Sequence, residues 1–179
     1  ISIEAALFAS NFPINYYTKE KFAFLKFKPF NKIDFNKFFS RIDKKISRDK
    51  LDITGYDNSI KFVQYAKKNA KIAGIDKQIT FSRVDVEWLD IKLNKNSVDK
   101  IVTDVPALSK YSDRGAVEKA HKDIFYQADY ILKKEGIVVI LVHDLSQIKK
   151  FYEEYHFKIV EQRKVYSGKQ ELSVVKLKR

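Results

Sequence analysis

The sequence predicts an α/β fold: a mostly parallel sheet that ends in a C-terminal antiparallel hairpin. Three observations carry this. After Leu51, strand-type and helix-type segments alternate in regular order, which is how parallel sheets are built. The run Ile137 to Val142 is unbroken in its apolar character, as a strand buried on both faces in the middle of a sheet requires. Finally, two strand-type segments, Phe157 to Val165 and Leu172 to Lys178, flank the tight-turn sequence Ser167-Gly168-Lys169-Gln170. With 179 residues, the chain is expected to form a single domain over residues 1–179.

Taken in order, Ile3 to Phe8 has the alanine-rich composition of a short helix packed closely on a sheet, with no strand before it. Leu51 to Asp57 reads as a strand ending in an acidic residue. Ile60, Val63, Ala66, Ala70 and Ala73 then keep helical spacing; Asn58 or Ser59 is placed to cap the start, Asn58 being the better candidate, and Gly74 suits a left-handed stop. Ile79 to Arg83 and Val98 to Thr103 are the next strands. Between Val98–Thr103 and Ile137–Val142, the residues Val117, Ala120, Ile124, Ala128 and Ile131 give a long amphipathic helix that Gly136 is expected to close. Leu145, Ile148, Phe151 and Tyr155 give one more helix before the hairpin.

Composition narrows the chemistry. There are no cysteines and three histidines, His121, His143 and His156, so neither a disulfide framework nor a zinc cluster of ordinary spacing is available, and no metal site is expected. No apolar run approaches the roughly 20 residues that span a bilayer, and the opening residues lack a signal-peptide pattern. A soluble, cytoplasmic protein is expected. The formal charge is +12, and residues 11–50 hold 11 Lys/Arg against 4 Asp/Glu. Such a concentrated positive field favours polyphosphate partners, nucleic acid first. The same stretch, a basic and aromatic-rich insert at about 11–50, interleaves phenylalanines with lysines. Phe35, Phe38, Phe39, Ile42 and Ile46 nevertheless follow helical spacing and are expected to pack onto the sheet.

Read together and in order, Ile3-Glu4-Ala5-Ala6-Leu7, Gly55-Tyr56-Asp57-Asn58, Ala66 to Ile75, Val84-Asp85 and Val98 to Pro106 resemble the THUMP-associated RNA guanine-N2 methyltransferases. These are Rossmann-like class I methyltransferases that act on tRNA and ribosomal RNA. Each piece alone is weak, and their order gives the resemblance its weight. It implies S-adenosyl-L-methionine as cofactor and tRNA or another structured RNA as partner. It also implies an N-terminal segment, absent from this chain, with the first strand, the glycine loop that approaches the cofactor's methionine moiety, and a THUMP domain.

The resemblance further implies roles for particular residues. Asp57, with Asn58 beside it, would accept from the cofactor's ribose hydroxyls, although Asp57 equally suits a helix cap. Asp85 would accept from the adenine amino group while the Val86 amide meets a ring nitrogen; Trp88 nearby suits the core or an adenine wall. Asp104, Val105 and Pro106 stand where the family has its catalytic turn. The Asp104 side chain and the Val105 carbonyl would each accept one hydrogen of an exocyclic amine and so localise its lone pair for attack. Lys110, Arg114 and Lys119 are candidates for RNA phosphates. The departure is Ala107, where the family's aromatic stacks on the target base; either Tyr111, Phe125 or another aromatic from a neighbouring segment replaces it, or the activity is weakened or lost. His143 and Asp144 are not read as a catalytic pair, since neighbours on a strand point apart. The expected reaction is methyl transfer to N2 of guanosine in RNA. Methylation of N6 of adenine in DNA and a non-catalytic RNA-binding derivative of the fold remain alternatives.

Overall fold

The computed structural model describes residues 1–13, 15–108 and 112–179, and the chain divides into two compact units, Ile1–Arg83 and Val84–Arg179. In the first unit, helix α1 spans Ser2–Ala9, helix α2 Phe35–Asp43, strand β1 Thr54–Asp57, helix α3 Ile60–Ala73 and strand β2 Thr80–Arg83. β1 and β2 pair in parallel, from Thr54 opposite Thr80 to Asp57 opposite Arg83. Their connection is α3, whose Val63 and Ala70 are buried and which stops at Gly74 with φ 75°. That left-handed conformation costs glycine nothing, so the predicted helix boundary is realised. Ala6, Phe12, Ala70, Ile75 and Ile79 form the buried core, with Leu7, Ile46, Leu51, Ile53 and Phe81 packed against it.

The basic insert departs from expectation. Ile46 reaches the core, but the phenylalanines of α2 pack within the insert itself: Phe22 lies 5.0 Å from Phe24, Phe24 5.6 Å from Phe35, and Phe35 6.3 Å from Phe39 between ring centroids. Short 3-10 turns over Tyr16–Lys21 and Ala23–Lys26 carry Phe22 and Phe24 to α2, so the helical stripe finds its partners locally.

The second unit contains helix α4 (Leu89–Lys92), strand β3 (Val98–Asp104), helix α5 (Arg114–Ile131), strand β4 (Leu132–Val142), helix α6 (Ser146–Glu154) and strands β5 (Lys158–Ser167) and β6 (Gln170–Lys178). The sheet order is β3-β4-β6-β5. β3 and β4 are parallel, β6 is antiparallel to both β4 and β5, and the hairpin turns at Gly168-Lys169. The α/β architecture with its C-terminal antiparallel hairpin is therefore as expected, and β4 is central in its sheet. Val138 and Ile140 are fully buried, whereas Val139 and Leu141 keep partial exposure, so β4 is sealed on one face and partly covered on the other.

Gly136 does not close α5. The helix ends at Ile131, and Leu132 is already extended at φ −76°, ψ 133°. Leu132 pairs with Val98 and Ile137 with Lys100, so the intervening residues bulge out of the ladder. A β-carbon on Gly136 would meet Leu132 Cγ at 2.5 Å and Lys133 O at 2.9 Å, so this glycine serves close approach within the bulge. Among the described residues, no helix is long and apolar enough to cross a membrane.

Candidate active site

Asp57 closes β1 in the first unit. Its Oδ1 accepts the Ser59 amide at 2.8 Å, while Ser59, at the N-cap position of α3, makes no capping bond of its own. The helix start is thus served by Asp57 and not by Asn58, which is exposed and whose carbonyl accepts from Arg83 Nε at 3.0 Å. Both readings of Asp57 are compatible: one carboxylate oxygen is fixed by the turn, and the other takes no partner among the described residues.

In the second unit, buried Val84 leads into Asp85, whose carbonyl accepts the Trp88 amide at 3.0 Å and closes a 3-10 turn over Val86–Trp88. The Asp85 side chain is half-buried, and no main-chain carbonyl among the described residues accepts from the Val86 amide. An acceptor beside a donor matches the amino and ring-nitrogen edge of adenine, so these residues fit the adenosine of the expected cofactor. Trp88 is 54% exposed and does not belong to the core.

Gln127 of α5, 1% exposed, holds this segment. Its Oε1 accepts the Asp90 amide at 2.8 Å, and its Nε2 donates to the Glu87 carbonyl at 2.8 Å and to Asp90 Oδ1 at 3.2 Å. Lys119 adds an exposed brace, pairing with Glu87 and, at 2.8 Å, with Asp123. Hydrogen bonds to Asp123 and then Glu87 push its ammonium above the usual lysine range.

Asp104 ends β3, exposed and with no side-chain partner among the described residues. The turn that follows is tied to three elements. The Val105 amide donates to Leu141 O of β4 at 3.3 Å, while the Val105 side chain is buried in the core. Pro106 O lies 2.7 Å from Nε2 of His121 on α5. The Leu108 amide donates to Gln147 Oε1 of α6 at 3.3 Å. No main-chain amide among the described residues donates to the Val105 carbonyl. Two unclaimed acceptors therefore sit on consecutive residues of an anchored turn.

Arg114 begins α5 and pairs with Glu118 at 3.1 Å, and Lys119 is paired as above; Lys110 and Tyr111 lie outside the described residues. Phe125 is fully buried against Tyr152 and Phe157, so it cannot replace the family aromatic at Ala107. His143 Nδ1 lies 2.8 Å from Gln170 Nε2, and Asp144 Oδ1 accepts the Ser146 amide at 2.9 Å, so the two are engaged separately. His121, Gln127 and Gln147 were not singled out from the sequence. Their signal was present for His121, which falls on the buried stripe Val117, His121, Phe125, Ala128, Ile131 of α5.

Comparison with known proteins bears on this arrangement. A family model described as UPF0020, RMKL-like, methyltransferase domain matches residues 1–173. A tRNA (guanine(6)-N2)-methyltransferase of Methanocaldococcus jannaschii is 25% identical over 170 residues, covering 94% of this chain and 43% of that protein. Among solved structures, the methyltransferase candidate SMU.472, crystallised with SAH, superposes with a TM-score of 0.73 at 21% identity, over 98% of this chain and 44% of that one. A predicted N6-adenine-specific DNA methylase from Listeria monocytogenes str. 4b F2365 gives 0.67 at 21% identity, over 98% and 43%. These structural likenesses concern the fold. The chain spans under half the length of these relatives.

Proposed function

Because this chain belongs to the UPF0020, RMKL-like methyltransferase domain family, we propose that it transfers a methyl group from S-adenosyl-L-methionine to N2 of a guanosine in structured RNA, tRNA first. The observation that carries this reading is the pair of acceptors at Asp104 and Val105, unclaimed among the described residues, on a turn fixed by Leu141, His121 and Gln147. An exocyclic amine is a weak nucleophile because its lone pair is shared with the ring. Accepting its two hydrogens at the Asp104 carboxylate and the Val105 carbonyl orients the lone pair out of the ring plane, a positioning effect more than a basic one. Pro106 fixes φ within the turn. When bound, the cofactor supplies an electrophilic methyl on a sulfonium whose charge disappears on transfer, so exclusion of water aids the step. Asp57 would hold the ribose, with Asn58 at its side, and Asp85 and the Val86 amide the adenine. Arg114, Lys119 and Lys110 are assigned to the RNA backbone, the two described cations reaching phosphates only by exchanging their carboxylate partners.

The guanosine assignment is supported by the M. jannaschii relative. The preceding polypeptide is part of the reading as well. Among the described residues β1 pairs only with β2, and β3 only with β4, leaving one edge of each without a strand. Unpaired strand edges invite pairing. An N-terminal segment with a strand, a glycine loop and an RNA-capturing THUMP domain would complete the enzyme, which would work in the cytoplasm on tRNA.

The test is incubation of the full polypeptide with S-adenosylmethionine and total tRNA from a strain lacking the gene. The expected product nucleoside is N2-methylguanosine. The Listeria neighbour motivates a parallel arm with DNA, in which N6-methyladenine would move the assignment to that base. No product in either arm would sink the enzymatic reading.

A further inference from the structure

Helix α5 carries two buried polar side chains that the chemistry above does not use. His121 is 1% exposed and Gln127 1% exposed, on a helix face otherwise made of Val117, Phe125, Ala128 and Ile131. Buried polar groups cost stability unless paired, and an apolar residue would serve packing better at either position. His121 is the more telling case. A carbonyl oxygen only accepts, so the 2.7 Å contact with Pro106 O places the proton on Nε2, and Nδ1 is left buried without a partner among the described residues. The fold therefore tolerates an unsatisfied ring nitrogen at this position, where leucine would leave none on the side chain. Gln127 spends both ends of its amide on the segment just after Asp85 and Val86.

We propose that His121 and Gln127 are positioning residues of the methyl transfer, and that α5 sets two parts of the site at once. His121 would fix the peptide after Pro106, and through the proline the direction of the Asp104 and Val105 acceptors toward the base. Gln127 would fix the turn that presents Asp85 and the Val86 amide to adenine. This inference rests on the methyltransferase reading. It adds a division of labour to it, in which the two residues, on one helix, act on different binding events.

The full polypeptide is compared with His121→Leu, His121→Gln, Gln127→Leu and Gln127→Glu. Three quantities are read: the Kd for S-adenosylhomocysteine by calorimetry, kcat with saturating tRNA, and Tm. His121→Leu is expected to lower kcat by about 10- to 100-fold, the range that a displaced reacting group costs, with Kd for S-adenosylhomocysteine within about twofold of the parent by the same division. His121→Gln, which can present a donor near the Nε2 position, is expected to recover most of the loss even if its Tm is lower. Gln127→Leu is expected to raise that Kd by about 10-fold or more, as loss of one hydrogen-bonded anchor implies. Gln127→Glu keeps the acceptor for the Asp90 amide but turns a carboxylate oxygen toward the Glu87 carbonyl and the Asp90 carboxylate, so it is expected to raise that Kd at least as much as Gln127→Leu.

Changes in kcat and Kd that track Tm across all four variants would overturn the proposal, because a purely structural role predicts that pattern. So would a His121→Leu enzyme with parental kcat. A parent protein that neither binds S-adenosylhomocysteine nor methylates RNA would instead reject the underlying functional reading.

Discussion

The Asp57 carboxylate accepts the Ser59 amide at 2.8 Å, which makes the residue assigned to the cofactor's ribose also the residue that starts α3. The two duties separate by substitution. Asn keeps an oxygen for the Ser59 amide but loses the charge, so Asp57→Asn is expected to melt near the parent temperature. Its affinity for S-adenosylhomocysteine should fall about 10-fold or more, since a hydrogen bond to a charged group is worth about 1.5–3 kcal/mol. Ala loses both duties, and Asp57→Ala should in addition cost about 1 kcal/mol of stability as a lost cap. Calorimetry beside urea denaturation checks the split. Equal binding by Asp57→Asn and the parent would leave Asp57 with the cap alone.

Asp104 is exposed and ends a strand, and its side chain takes no partner among the described residues, so its carboxylate contributes little to folding. Asp104→Ala should leave Tm and S-adenosylhomocysteine affinity unchanged while lowering kcat by about 10²- to 10⁴-fold, the scale of a lost positioning and acid–base group. Asp104→Asn should retain more activity, because its amide oxygen still accepts one amine hydrogen. Single-turnover methylation of tRNA with excess enzyme measures the step directly.

Gly136 gives a prediction about the scaffold. Its missing side chain lets Leu132, fully buried, fold back beneath the bulge, where an added β-carbon would stand 2.5 Å from Leu132 Cγ. The obstruction includes the Lys133 carbonyl at 2.9 Å, so a rotamer change alone cannot relieve it. Gly136→Ala is expected to cost about 1–3 kcal/mol through overpacking, with the larger Gly136→Val worse. Chemical denaturation of the two variants gives the magnitude, and an unchanged midpoint would mean that the bulge re-forms freely.

What the sequence revealed and what it hid follow from the range of each signal. Alternating strands and helices, the Gly74 stop and the Gly168 turn are local, and each appears where residue spacing put it. Gly136 misled because glycine after a helical stripe usually marks its end; here Leu132 is drawn into the core one residue past Ile131, and the glycine serves the bulge instead. Phe125 could be proposed as a base platform only while its neighbours were unknown. Packing against Tyr152 and Phe157, distant in sequence, removes it from solvent. His121 is visible as a polar residue on an apolar stripe, but its role, like that of Gln127, depends on partners distant in sequence, Pro106 and Glu87.

Ala107 stands half-buried in the anchored turn where the resembled family has an aromatic, between Pro106, held at its carbonyl, and Leu108, held at its amide. With Phe125 buried, a stacking surface for the target base must come from Tyr111 or another segment, or the enzyme works without one. Stacking of a base on an aromatic side chain is worth about 1–3 kcal/mol, which corresponds to at least about a fivefold gain in RNA affinity. Ala107→Phe is therefore expected to lower KM for tRNA by about that factor if the parent lacks a platform, while Tyr111→Ala in the parent changes little. The opposite pair of outcomes, a neutral or harmful Ala107→Phe and a strong loss in Tyr111→Ala, would assign the platform to Tyr111. Steady-state kinetics on one tRNA substrate distinguishes the two, and calorimetry with S-adenosylhomocysteine confirms that the cofactor side is undisturbed in both variants.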